Sequence, residues 1–380
     1  MSTVKSIKMV CEVCPEGQKL TAARIEYDTP VGRENALENS FEAEGRNVTG
    51  AHICPKDSCT VVVDLSKDDP DAALTYFENP GPSEKWMRRP AALKIRQTAD
   101  LRAEDGTVLP AWETGKDAEG EIEPLVEKFT QHVFYSDRTG RDLPYNLFLP
   151  EGYSEQTQYP LVMFIHDKGP LDDNVKTTLR QGIGAVIWAS DEVQKDHPCI
   201  VLAPQFSKVP SGDGEPDMLE TTFDLYEYIV DQYSVDKKRL YTTGQSMGCM
   251  SSIAMGIRRP DFFTAFLLVA GQWDAEAMKV LHDAKMFIIV SRGDPRAFAG
   301  MNESLVKLDD EGAEIRFAAV DQDGGVVPEE QIGELLSKEA NIYYAVLKTR
   351  KREFSCHMGT WQVAYGIRGA REWLFAQSKE

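Results

Sequence analysis

The sequence predicts an α/β protein: a mostly parallel sheet flanked by helices, preceded by a smaller β-sandwich. Two patterns carry that reading. Continuous apolar runs at 161–166, 199–203, 240–244, 266–271 and 286–290 alternate with helical patterns, as strands buried on both faces do. Ahead of about residue 125 the texture differs: short β-prone runs at 6–13, 20–27, 60–65 and 91–97 are separated by Gly, Pro, Asn and Asp clusters, without a strongly periodic helix.

A chain of 380 residues exceeds the usual size of one hydrophobic core. The polar, acidic stretch 114–124 reads as a linker, so the expected domains are 1–125, including that linker, and 126–380. In the second, Leu219, Phe223, Tyr226, Ile229, Val230 and Tyr233 recur at spacings of three and four, an amphipathic helix that covers one face of the sheet. Ile367, Ala370, Trp373 and Leu374 mark a closing helix in the same way.

With 42% hydrophobic and 27% charged residues the composition is that of a globular protein. A formal net charge of −19 repels polyanions, which argues against nucleic acid or an anionic membrane surface as partner and favours a neutral or cationic substrate. The N-terminus MSTVKSIKMVCEVC has no apolar leader core, and no run is long enough to span a bilayer. Together with an odd count of seven cysteines this suggests a cytoplasmic protein. Cys11, Cys14, Cys54 and Cys59 have the residue types of a zinc site, but the second pair is spaced by four and neither lies near the candidate chemistry; small strand residues are the plainer reading.

The chemistry centres on Gly244-Gln-Ser-Met-Gly248, a G-x-S-x-G motif after a strand-like segment and before a small-residue helix. A serine hydroxyl needs a base to take its proton and a carboxylate to hold that base. In the chain order Ser, acid, His, only His282 and His357 follow Ser246. His282 falls in an expected helix at 274–283, before the last strong strand. His357, after the β-like stretch 342–347 and a loop, is the expected base. Asp294, just past the strand 286–290, is the expected acid, with Asp274 the alternative; either also reads as a loop carboxylate or helix cap. Oxyanion donors are expected from the backbone of Met247 and from Lys168 or Asp167 in the loop His166-Asp-Lys-Gly169, which otherwise reads as a simple strand-exit turn. Gln245, Trp273 and Trp361 are the candidate substrate contacts, the two tryptophans reading equally as core.

The runs YNLFLPEGY, YPLVMFIHDKGP, VLAPQ, RLYTTGQSMG and CHMGTW resemble the predicted-peptidase or carboxylesterase group of the α/β-hydrolases, in which an N-terminal immunoglobulin-like domain often precedes the catalytic one. The resemblance implies a triad at Ser246, Asp294 and His357, an acyl-serine intermediate, no metal and no organic cofactor. Two positions depart from it: Asp167 replaces the glycine that usually follows the histidine, and Cys249 replaces a glycine after Ser-Met-Gly. Residues 321–341 form a longer excursion than a minimal hydrolase has, suggesting a helix beside the pocket.

The expected activity is hydrolysis of a small-molecule ester. A serine peptidase with the same residues, a decayed binding protein signalled by Asp167, and an assembly module built on the N-terminal domain remain open, as does homo-oligomerisation.

Overall fold

The computed structural model describes residues 4–78, 85–210, 217–322, 325–349 and 355–380. The chain divides into two compact units, the first ending at Glu127 and the second starting at Lys128.

The first unit is a β-sandwich. One sheet has the order Glu121–Ile122, Val4–Cys14, Gly17–Tyr27, Asp57–Leu65, Val48–Cys54; the other has Lys116–Asp117, Lys94–Gln97, Phe41–Ala43. Ile25, Val61, Val63 and Ile95 are fully buried in its core. A polar tie joins the two sheets where the Tyr27 hydroxyl donates to Gln97 Oε1 at 2.7 Å. The stretch 114–124 corrects its reading as a linker, since it supplies an edge strand to each sheet. Two of its acidic residues are tied into the sandwich: Arg88 holds Glu121, and Gln18 Nε2 donates to Glu123 Oε1 at 2.6 Å. Cys11 and Cys54 lie on strands separated by two others. Among the described residues no cluster of three or more His, Cys, Asp or Glu is arranged to hold a metal ion.

The second unit is built on nine strands: β1 (Thr130–Ser136), β2 (Arg141–Phe148), β3 (Tyr159–Ile165), β4 (Ile200–Pro204), β5 (Val235–Gln245), β6 (Ala265–Val269), β7 (Met286–Ser291), β8 (Ile315–Val320) and β9 (Ile342–Leu347). Their order is β1-β2-β4-β3-β5-β6-β7-β9-β8. The β1–β2 and β2–β4 pairs are antiparallel and the rest parallel. Every residue of β3, β4, β6, β7 and β9 is buried, which is why these segments read as unbroken apolar runs.

Helix Asp217–Gln232 buries Leu219, Phe223, Tyr226 and Ile229 against the sheet, and the closing helix Arg368–Phe375 buries Ala370, Trp373 and Leu374. The helix expected at 274–283 is one short turn, Ala275–Met278, followed by a 3-10 turn at Lys279–Leu281. Within 321–341, of which 323 and 324 lie outside the described residues, helix Glu329–Leu335 packs on β8, β9 and the closing helix. It therefore sits at the outer edge of the sheet instead of beside the serine. Among the described residues no helix is long and apolar enough to cross a membrane.

Candidate active site

β5 ends at Gln245 and the next helix, Met247–Arg258, begins one residue later, so Ser246 alone makes the turn between them. It does so with φ 51° and ψ −112°, a left-handed backbone that an L-residue adopts only when its surroundings impose it, at a cost on the order of 1 kcal/mol or more. Its N–H donates to the Val269 carbonyl and its own carbonyl accepts from Met250, each at 3.0 Å. The turn needs two bare positions. A Cβ on Gly244 would lie 2.4 Å from the Gly248 carbonyl carbon, and one on Gly248 would lie 1.9 Å from the Ile165 carbonyl oxygen. The Cys249 side chain fills the space beside Gly271, where a Cβ would come within 2.4 Å of the sulfur. Burial pushes the Cys249 thiol far above its ordinary pKa, so it serves as packing rather than as a thiolate.

Two other strand ends bring their residues to this turn. Asp294 follows β7, and its Oδ2 lies 2.5 Å from His357 Nδ1. The second carboxylate oxygen accepts the N–H groups of Arg296 and Ala297, both at 2.9 Å, at the start of helix Ala297–Asp310. Burial presses the Asp294 carboxyl upward, but the bond and charge of His357, aided by those two N–H groups, outweigh it and hold the group below its ordinary pKa. His357 lies in the first turn of helix Ser355–Ala364, and its Nε2 is 2.8 Å from Ser246 Oγ. Trp361, one helical turn further on, meets the imidazole edge to face with ring centres 5.1 Å apart and planes at 88°. Hydroxyl, imidazole and carboxylate thus form one hydrogen-bonded series able to move a proton off the serine.

The loop leaving β3 lies beside the serine turn, since Gly248 approaches the carbonyls of both Ile165 and His166. His166 is fully buried. Its Nε2 accepts the Phe206 N–H at 2.9 Å, so the ring proton sits on Nδ1 and donates to the Asp167 carbonyl at 2.7 Å. The Asp167 side chain accepts from the Gly169 N–H and from Gln245 Nε2, each at 2.8 Å. Among the described residues neither the Met247 N–H, at the open start of its helix, nor the Lys168 N–H has a protein acceptor.

The remaining candidates fall elsewhere. Gln245 is 2% exposed, its amide committed to Asp167 and Gln181. Trp273 is half-buried and packed on the core. Asp274 caps the short helix Ala275–Met278 by accepting the Ala277 N–H. His282 belongs to the opposite rim of the sheet, its carbonyl bonded by Asn341 at the start of β9. Sequence reasoning missed Gln181, which no local motif marks, and the anchoring role of His166.

A doubly sided, mostly parallel sheet with a serine turn after β5 and the other two groups after β7 and β9 is the α/β-hydrolase arrangement. The model of the esterase Ig-like N-terminal domain matches residues 6–110, and the esterase family model matches 136–297. The chain belongs to the esterases that carry an immunoglobulin-like domain ahead of an α/β-hydrolase domain, and it is a carboxylesterase-type hydrolase. Among solved structures it is similar over its whole length to a thermostable esterase, with a TM-score of 0.83, 23% identity and coverage of 99% of this chain and 100% of that one. Weaker likenesses include an S954A mutant of the feruloyl esterase module from Clostridium thermocellum, complexed with sinapinate (TM-score 0.45, 14% identity, 63% of this chain and 87% of that one). Another is the fluorophosphonate-binding serine hydrolase F of Staphylococcus aureus (TM-score 0.41, 13% identity, 65% and 98%). No curated protein matches the chain.

Proposed function

We propose that the chain hydrolyses carboxylic esters through an acyl-serine intermediate on Ser246. The observation that carries this reading is the unbroken series Ser246 Oγ, His357 and Asp294, with contacts of 2.8 and 2.5 Å. Ser246 Oγ attacks the ester carbonyl carbon as His357 Nε2 takes the hydroxyl proton, and Asp294 stabilises the resulting imidazolium. The carbonyl oxygen becomes an oxyanion that accepts from the Met247 and Lys168 N–H groups. The carbon–oxygen bond to the alcohol then breaks, the departing alkoxide receives the proton from His357, and the acyl group stays on Ser246. Water repeats the sequence, its proton passing to His357 and back to the serine oxygen, and the acid leaves.

No step uses a cofactor, and the net charge of −19 favours a neutral or cationic ester over a polyacid. The commitment of both Asp167 carboxylate oxygens to neighbouring N–H groups supports a working oxyanion loop over a decayed one.

The test compares hydrolysis of a short-chain nitrophenyl ester by the full chain and by Ser246→Ala, with a fluorophosphonate probe applied to both. Activity and labelling are expected only in the former. Equal hydrolysis by both would overturn the assignment of Ser246, and faster cleavage of peptide anilides than of aryl esters would make the protein a peptidase.

A further inference from the structure

A carboxylate two residues past β3 stands beside the place where negative charge develops, so its retention calls for a physical reason. Gln245, the last residue of β5 and the neighbour of Ser246, donates from Nε2 to Asp167 Oδ2 at 2.8 Å and to Gln181 Oε1 at 3.2 Å. The other Asp167 oxygen accepts the Gly169 N–H at 2.8 Å, which closes a turn around Lys168. From behind, His166 Nδ1–H holds the Asp167 carbonyl at 2.7 Å. In a trans peptide the carbonyl and the following N–H point in opposite directions, so fixing that carbonyl on His166 turns the Lys168 N–H away from it.

Resting on the serine mechanism proposed above, we infer that Asp167 and Gln245 are a positioning pair. Their bond ties the loop after β3 to the strand that carries Ser246 and so sets the Lys168 N–H where the oxyanion forms. Both side chains are almost wholly buried, at 5% and 2% exposure. A hydrogen bond to a charged group is strong in such surroundings, and removing the donor strands a carboxylate oxygen. The donors from Gly169 and Gln245 offset part of the carboxylate's charge, so it repels an anionic intermediate less than a bare carboxylate would. Burial pushes the Asp167 carboxyl above its ordinary pKa, and the bonds from Gln245 and the Gly169 N–H oppose that push, so the pair also favours the ionised form that the loop bonds need.

The experiment measures kcat and KM for the nitrophenyl ester in Gln245→Leu, Asp167→Ala and the double variant. It also measures affinity for a trifluoromethyl ketone, whose adduct oxygen occupies the oxyanion position, and for the unreactive alcohol of the same shape. In Gln245→Leu, kcat and ketone affinity are expected to fall together by about 10- to 100-fold, with KM and alcohol affinity changed less than about threefold. The double variant is expected to be no worse than the poorer single one. Because either apolar substitution could prevent folding, the exchange Asp167→Asn with Gln245→Glu, which reverses the polarity of the bond, is tested beside its two single variants and should exceed the activity of Gln245→Glu. Unchanged ketone affinity, additive losses, or an exchange no better than Gln245→Glu would each overturn the positioning role. Ser246→Ala runs alongside: hydrolysis by that variant would instead overturn the serine mechanism itself.

Discussion

Gly248 faces the carbonyl oxygen of Ile165 so closely that a Cβ on it would lie 1.9 Å away. Helix propensity alone favours alanine there by up to about 1 kcal/mol. The clash is with backbone, which cannot rotate aside, so sterics prevail. Gly248→Ala should therefore destabilise the protein by about 3 kcal/mol or more, with most activity lost because the helix start carrying the Met247 N–H is displaced. Urea unfolding checks the first part and ester hydrolysis the second; a variant of native stability would show that the helix can shift freely.

In the first unit, Tyr27 and Gln97 make the buried link between the two sheets. Gln97 also donates to the carbonyls of Ala99 and Leu109 at 2.8 and 2.9 Å, so its orientation is set from both ends. Tyr27→Phe removes one partner and leaves Gln97 Oε1 buried and unsatisfied, at a cost of about 1–3 kcal/mol. Thermal unfolding of the full chain should show that loss while ester hydrolysis per folded molecule stays constant. A loss under about 0.5 kcal/mol would mean another donor reaches Gln97.

The legible part of this fold was the part where burial is complete. β3, β4, β6, β7 and β9 are apolar on both faces and stand out as runs, whereas β1 is mostly exposed, with Val133 and Tyr135 on its surface, and β8 is an edge strand bearing an exposed Phe317. Neither outer strand carries an unbroken run or a clean alternation. In the candidate site, chain order and strand ends were enough to single out Ser246, Asp294 and His357. What they hid was the direction of side chains. Gln245 turns into the protein toward Asp167, and His357 lies inside a helix because residues 355–364 continue helically past it. Polar ties such as Gln18 with Glu123 made edge strands out of a stretch that composition alone marks as linker.

His166 is held neutral, burial pushing its pKa down to about 4 despite the opposing bond to the Asp167 carbonyl. In the unfolded chain its pKa is about 6.5. Between these values the unfolded chain binds a proton that the folded one refuses, so this contribution to stability is complete above pH 6.5 and is lost as pH falls toward 4. The full effect is on the order of 3 kcal/mol. His166→Gln, which cannot titrate, should be less stable at pH 8 yet show a flatter decline between pH 6.5 and 4.5 in urea midpoints. Parallel declines in the two proteins would place the acid sensitivity in other groups.

Asp294→Asn keeps the size of the side chain but can present an amide N–H to His357 Nδ1. That favours the imidazole tautomer with its proton on Nε2, which cannot accept from Ser246. On the proposed mechanism kcat should fall about 10³- to 10⁴-fold with KM little changed. Stopped-time assays at high enzyme concentration can measure the remaining rate, and the folded state should persist, since Asn Oδ1 still accepts from Arg296 and Ala297. A loss under tenfold would mean that His357 is oriented mainly by other contacts.

Trp361 supplies one such contact, its ring 5.1 Å from that of His357 and 8% exposed. The two residues are four apart on one helix, so the indole limits how far the imidazole can swing about its χ angles. Truncation to alanine would confound positioning with a cavity costing about 3–5 kcal/mol. Trp361→Leu and Trp361→Phe separate the two effects better, because both fill much of the volume and only phenylalanine keeps an aromatic face. If the ring steers His357, the leucine variant should lose about tenfold in kcat and the phenylalanine variant less than about threefold, since small misplacements of a base are costly. Comparable activity in both would show that Trp361 contributes bulk alone, leaving Asp294 as the group that orients the imidazole.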